Sequence, residues 1–161
     1  MIFISLYSMG LDIFTDNMNQ RVGSYSRVHT LRREMIHASI NYLDQFPNCN
    51  SSLELSSFLK SCVNEDKTYA NPKLILNINK FLNYKDYNYE LLKGLFIWVD
   101  HSDCDGSLSP EDSREILATL ELIFEFLNKC YFKDEKVKIE NFYLYDIFKD
   151  SVDNDLEIFF G

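Results

Sequence analysis

Ile116, Leu117, Leu120, Ile123, Phe124 and Leu127 recur at three- and four-residue spacing behind Ser109-Pro110-Glu111-Asp112. That spacing lays one apolar stripe along a helix. The preceding residues supply a capping hydroxyl, a proline at the first helical position and first-turn acids that suit the positive end of the helix dipole. A segment so patterned needs other elements to cover its stripe, and the rest of the chain offers mostly helices. A helix starting at Ser24 or Ser26 carries Val28, Leu31, Met35, Tyr42, Leu43 and Phe46 up to Pro47. Ser51 with Glu54 predicts a capping box for a second helix buried through Leu55, Phe58, Leu59 and Cys62.

Asn71-Pro72 opens a third helix with Leu74, Ile75, Ile78, Phe81 and Leu82. Asn88 caps a fourth, whose Leu91, Leu92, Leu95, Phe96, Trp98 and Val99 cover more than one face and so predict a central position. A last helix is expected over Ile139 to Phe148. Residues 2–14 have strand-like content, broken around Ser8 to Gly10, whereas Asp16 to Gly23 reads as a polar loop. The tail from Asp155 to Phe160 partly alternates and is expected to pair with the N-terminal strand. The fold class is therefore mainly α, a single helical domain over residues 1–161 with a small β-ribbon from the two termini.

Composition narrows the function classes. The chain has 161 residues, 46% apolar and 15% aromatic, enough for a substantial core. Its formal charge of −9 argues against general nucleic-acid binding and against an anionic membrane face. The apolar opening Met1 to Ser8 lacks a basic flank and is too short to span a bilayer. Cys49, Cys62, Cys104 and Cys130 form no CxxC pair and read as reduced thiols, which points to the cytoplasm.

Ligand-capable side chains crowd into His101-Ser102-Asp103-Cys104-Asp105-Gly106, between two expected helices. Three readings stand. As an EF-hand-like loop with Gly106 in sixth place, Asp103 and Asp105 become ligands for Ca²⁺ or another divalent cation, and Ser107 offers its carbonyl. His101 in first place and the short Asp112 in twelfth both depart from that pattern, because imidazole is a poor partner for a hard cation. Zinc would need Cys104 and His101 to find ligands elsewhere. As plain turn chemistry, Asp103 and Asp105 cap backbone N–H groups. As a pocket wall, His101, Ser102, Asp103 and Asp105 hydrogen-bond a small molecule.

A second polar cluster favours the pocket. Gly23-Ser24-Tyr25-Ser26 precedes a helix bearing Arg27, His29, Arg32, Arg33 and His37. Free N–H groups at such a helix start suit an anion, and His29, Arg33 and His37 share one stripe. The bland alternative is a capped helix with a basic solvated face. A phosphate loop is not indicated, since the GK[ST] signature is missing. Ser24, Ser26 or Cys104 could face His29 or His101, but no nucleophile elbow or cysteine-protease signature accompanies them.

Met9-Gly10-Leu11-Asp12-Ile13, Gly23-Ser24-Tyr25-Ser26 with Leu31-Arg32-Arg33, and the His101–Gly106 string follow one another in an order that resembles a group of small uncharacterised proteins of bacteria and their phages. The resemblance spans about the first two thirds of the chain, and its specific part is HSDCDG. This chain departs from the pattern at Ser107, where Glu is usual, and at Val28 and Leu31, where aromatic residues are usual. Eight residues precede Met9, which matches the group's usual start. No activity is established for the group, so the resemblance implies an arrangement and not a chemistry: the two polar segments belong to one architecture.

The resulting expectation is a non-catalytic protein binding a small anionic, nucleotide-like ligand, of the kind that sequesters a host signal. Its ligand-binding residues would be Ser24, Tyr25, Ser26, His29, Arg32, Arg33, His101, Ser102, Asp103 and Asp105. The alternatives are a divalent-metal module through Asp103 and Asp105, and an acidic module binding a host protein.

Overall fold

The computed structural model describes residues 11–23, 25–64, 90, 92–101, 106–131, 142 and 144–161. The chain enters through a hairpin of β1 (Leu11–Phe14) and β2 (Asn19–Gly23), paired Phe14 to Asn19, Ile13 to Gln20 and Asp12 to Arg21. Thr15 closes the turn. Its N–H donates to the Met18 carbonyl at 2.9 Å, and its Oγ1 accepts from the Asn17 and Met18 N–H groups at 3.2 and 3.1 Å. The register slips between Leu11 and Asp12, where Leu11 faces Gly23, and Gly23 has φ +102°. Glycine takes that positive φ at the slip without a Cβ clash.

The hairpin corrects the expected loop over Asp16–Gly23. β2 is an edge strand with only Val22 fully buried, so its sequence has no apolar alternation to mark it. The expected meeting of the termini does occur. β4 (Ile158–Phe160) pairs antiparallel with β1, and the two-residue β3 (Ser107–Leu108) pairs with the other side of β4. The four-stranded sheet runs β2-β1-β4-β3.

Helix α1 (Tyr25–Leu43) starts between the two serines expected to open it, and buries Val28, Leu31, Met35, Ile36, Ile40 and Leu43. Helix α2 (Asn50–Asn64) begins one residue before Ser51, so Ser51 lies inside the first turn with Oγ 3.3 Å from Cys49 Sγ, and not at the cap. Ser56 Oγ donates to Asp44 Oδ1 at 2.7 Å, tying α2 to the end of α1. That bond, with Lys60 beside it, holds the Asp44 carboxyl below the usual carboxylate range.

The helix expected at residues 71–82 lies outside the described residues, as does Asn88. Helix α3 (Lys93–Asp100) buries Gly94, Leu95, Phe96, Trp98 and Val99, as a central helix should. Gly94 permits its closest approach: a Cβ there would stand 2.1 Å from the Glu115 carbonyl oxygen on α4 (Pro110–Tyr131). Helix α4 packs against α1, α3 and α5 (Tyr145–Asn154), so its apolar stripe meets three partners.

Helix α5 corrects the expected Ile139–Phe148 segment, because it starts at Tyr145 and continues to Asn154. Its last buried residue is Ser151, a polar side chain that carries no apolar signal. Ser151 Oγ donates to the Leu156 carbonyl at 2.6 Å and lies 2.9 Å from Ser113 Oγ on α4, so one hydroxyl links two helices and the approach to β4. Asp155 turns the chain out of α5 in a left-handed conformation, φ +55°.

Asp150 binds the hairpin turn to α5: Thr15 Oγ1 donates to Oδ2 at 2.6 Å, and Asn17 Nδ2 to Oδ1 at 3.3 Å. The Thr15 bond, supported by Asn17 and Asn154, keeps the Asp150 carboxyl below its ordinary value. Among the described residues, no helix is long and apolar enough to cross a membrane.

Candidate functional site

A helix leaves its last carbonyls without intrahelical donors, and a buried helix end must find them elsewhere. At the end of α3 the chain turns extended at His101, whose N–H donates back to the Ile97 carbonyl at 3.1 Å. Arg32, on α1, supplies the next donors. Its Nε donates to the Trp98 carbonyl at 3.2 Å and its Nη2 to the His101 carbonyl. Only 1% of Arg32 is exposed, and its guanidinium carbon sits 5.7 Å from the centre of the Trp98 ring. A buried cation at the negative end of a helix is well placed, and its planar fork can reach two carbonyls where an ammonium makes point contacts.

His101 is anchored on its other side. Its ring stacks on Phe160 of β4 with centroids 4.1 Å apart and planes at 29°. Its Nε2 lies 3.3 Å from the Ser107 carbonyl, so the imidazole bridges from one end of the loop to the other. Gly106 between them has φ +93°, the left-handed conformation that favours glycine. Phe160 in turn lies 6.3 Å from Trp98, whose ring meets Phe148 edge-on at 5.7 Å. Arg32, Trp98, His101 and Phe160 thus form one node joining α1, α3, the loop and the sheet.

The far side of the loop is fixed by its own cap. The Asp112 N–H donates to Ser109 Oγ at 3.0 Å, and Asp112 Oδ2 receives the Ser109 N–H at 3.1 Å and its hydroxyl at 2.9 Å. This is the expected cap in reciprocal form. It occupies one oxygen of the residue that an EF-hand-like loop would need in twelfth place.

Of the candidate residues, the structure brings Arg32 and His101 together through a backbone carbonyl. Arg33 follows on an exposed position of α1, and His37 is half-buried one turn further on. Tyr25, Ser26 and His29 are placed by their backbones in the first two turns of α1. Ser24, Ser102, Asp103 and Asp105 lie outside the described residues, as does Cys104. Among the described residues, no group of three or more His, Cys, Asp or Glu side chains could hold a metal ion.

Two residues of this region were not among the expected site residues. Trp98 was expected on a central helix and Phe160 in the tail strand, yet they set the position of Arg32 and His101. Arg27 is exposed and runs over Gly23, with its Cδ 3.5 Å from where a Cβ would stand. Trp98 Nε1 is buried without a hydrogen-bond partner among the described residues. No protein-family model matches the chain, and no curated protein or solved structure shows significant similarity to it.

Proposed function

We propose that this chain is a non-catalytic ligand-binding protein whose site joins the start of α1 to the His101–Gly106 loop. The supporting observation is the Arg32 bridge to the carbonyls of Trp98 and His101, which ties the two polar segments to one node. In this reading Arg32 is a positioning residue. Its buried guanidinium donates to two backbone carbonyls, and anion contact at the surface falls to exposed Arg33 and Arg27 and to the N–H groups opening α1. Asp103, Asp105 and Ser102 read hydroxyl or amino groups of the ligand.

An anionic, nucleotide-like molecule suits that pairing of cations with acceptors. Sequestration of a host signalling nucleotide by a phage-type protein, in the host cytoplasm, is the biological role that accompanies it. The test is a thermal-shift panel of nucleoside phosphates on the full chain, with Arg33→Ala and Asp103→Ala beside it. A ligand-dependent rise lost in both variants supports the proposal. No rise, or one unchanged by both variants, overturns it.

A divalent-cation loop is the second reading, favoured by the left-handed Gly106 in sixth place and by the strand at Ser107–Leu108 in seventh and eighth. It predicts a melting temperature raised by Ca²⁺, restored by EDTA and insensitive to Ca²⁺ in Asp105→Asn.

A further inference from the structure

We propose that β4 is a strap across both ends of the loop joining α3 to α4, so that the His101 ring and the Ser107–Leu108 strand are released together when β4 lifts. The entrance of the loop is held by Phe160, whose ring stacks on His101 with centroids 4.1 Å apart. Its exit is held by the two preceding residues of the same strand. Ser107 faces Phe159 and Leu108 faces Ile158, and among the described residues β3 pairs with β4 alone. The two ends also meet, with His101 Nε2 lying 3.3 Å from the Ser107 carbonyl. Three consecutive residues therefore hold both ends.

The backbone beyond each end is fixed without β4. Upstream, Arg32 donates to the His101 carbonyl, and the His101 N–H donates to that of Ile97. Downstream, Ser109 and Asp112 cap α4 reciprocally. Lifting the strap would leave α3 and the start of α4 anchored. On its other side β4 meets β1 over a short span: Ile13 faces Phe160, Phe14 faces Phe159, and Asp12 and Gly161 exchange bonds of 2.9 and 3.0 Å. At its base Asp155 turns the chain out of α5 with φ +55°, a left-handed conformation that glycine takes more cheaply. Buried Ile158 and Phe160 favour the closed form. A short strand with few pairs and a strained base is the kind of element that opens locally, before the whole chain unfolds. Where the ligand reading above holds, occupancy of the loop and closure of the strap favour each other. The strap itself needs no ligand, and its test uses none.

That test is hydrogen exchange in the full chain, followed by NMR at low urea. The hydrogen-bonded amides of β3 and β4 should share one protection factor within about threefold, and lie about tenfold or more below the interior of α4. His101→Ala removes the stacked ring but not the strand pairing. It should lower both strands by one common factor of about threefold or more. Asp155→Gly relieves the left-handed turn and should raise both together, which keeps the test open if His101→Ala unfolds. Three results overturn the proposal: unequal protection of the two strands, protection of both as strong as that of α4, or a variant that moves one strand alone.

Discussion

Arg32 on α1 donates its Nε hydrogen to the carbonyl of Trp98 on α3 across 66 intervening sequence steps, and its guanidinium lies 5.7 Å from the centre of the same residue's ring. One side chain therefore serves as C-terminal donor, counter-charge to the helix end and cover for an indole. Arg32→Met keeps much of the volume but leaves the Trp98 and His101 carbonyls without these donors. It should cost about 3 kcal/mol of unfolding free energy, read from urea denaturation. Arg32→Lys should recover only part of that, because an ammonium cannot reproduce the fork. Full stability in Arg32→Met would show that the bridge is ornamental.

Gly94 offers a test in which two effects have opposite signs. In an exposed helix interior, glycine to alanine stabilises by roughly 1 kcal/mol. Here the added Cβ would lie 2.1 Å from the Glu115 carbonyl oxygen and 2.6 Å from the Ile116 Cα. Backbone cannot swing aside as a flexible side-chain end can, so α3 and α4 must separate. Gly94→Ala should therefore destabilise, by roughly 2 kcal/mol or more. A gain in melting temperature would mean that the two helices are not in this contact.

The Asp150 junction should make stability depend on acid. Hydrogen bonds from Thr15, Asn17 and Asn154 favour the charged carboxylate, so its folded value lies below its unfolded one. Its contribution is then present above the ordinary carboxylate range and is lost as pH falls through the folded value. Asp150→Asn should cost about 1 kcal/mol or less at neutral pH, since the group is partly solvated. The difference from the native chain should shrink as the native Asp150 protonates. A difference that is flat with pH would assign the junction to packing alone.

Much of the helical frame was legible because its elements repeat apolar residues at helical spacing. The α4 stripe and its Ser109-Pro110 start are the clearest case, and the buried face of α3 announced its central place. The misreadings share a physical cause. β2 shows solvent four polar or small residues beside one buried Val22, and the C-terminal turns of α5 bury Ser151 in place of a large apolar residue. Neither leaves a hydrophobic period.

The proposed site was read from two polar segments, and the differing roles of its residues left no mark in the sequence. Arg32 and Arg33 are identical in sequence terms, yet a rotation of about 100° along the helix sends one inside and the other to solvent. The acceptors that Arg32 meets at the end of α3 are backbone carbonyls, which every residue has and no sequence advertises. His101 is similar: its ring is set by Phe160, which lies at the other end of the chain.

In the proposed function the α1 start and the His101 loop act as one anion-binding site. Nucleoside phosphates titrated calorimetrically into the full chain, Arg33→Ala and Asp103→Ala decide whether they do. Saturable binding is expected, weakening with salt and falling by about tenfold or more in each folded variant, since a charged contact contributes on the order of 1.5 to 3 kcal/mol. No heat of binding across the series, or identical affinity in all three proteins, would contradict it.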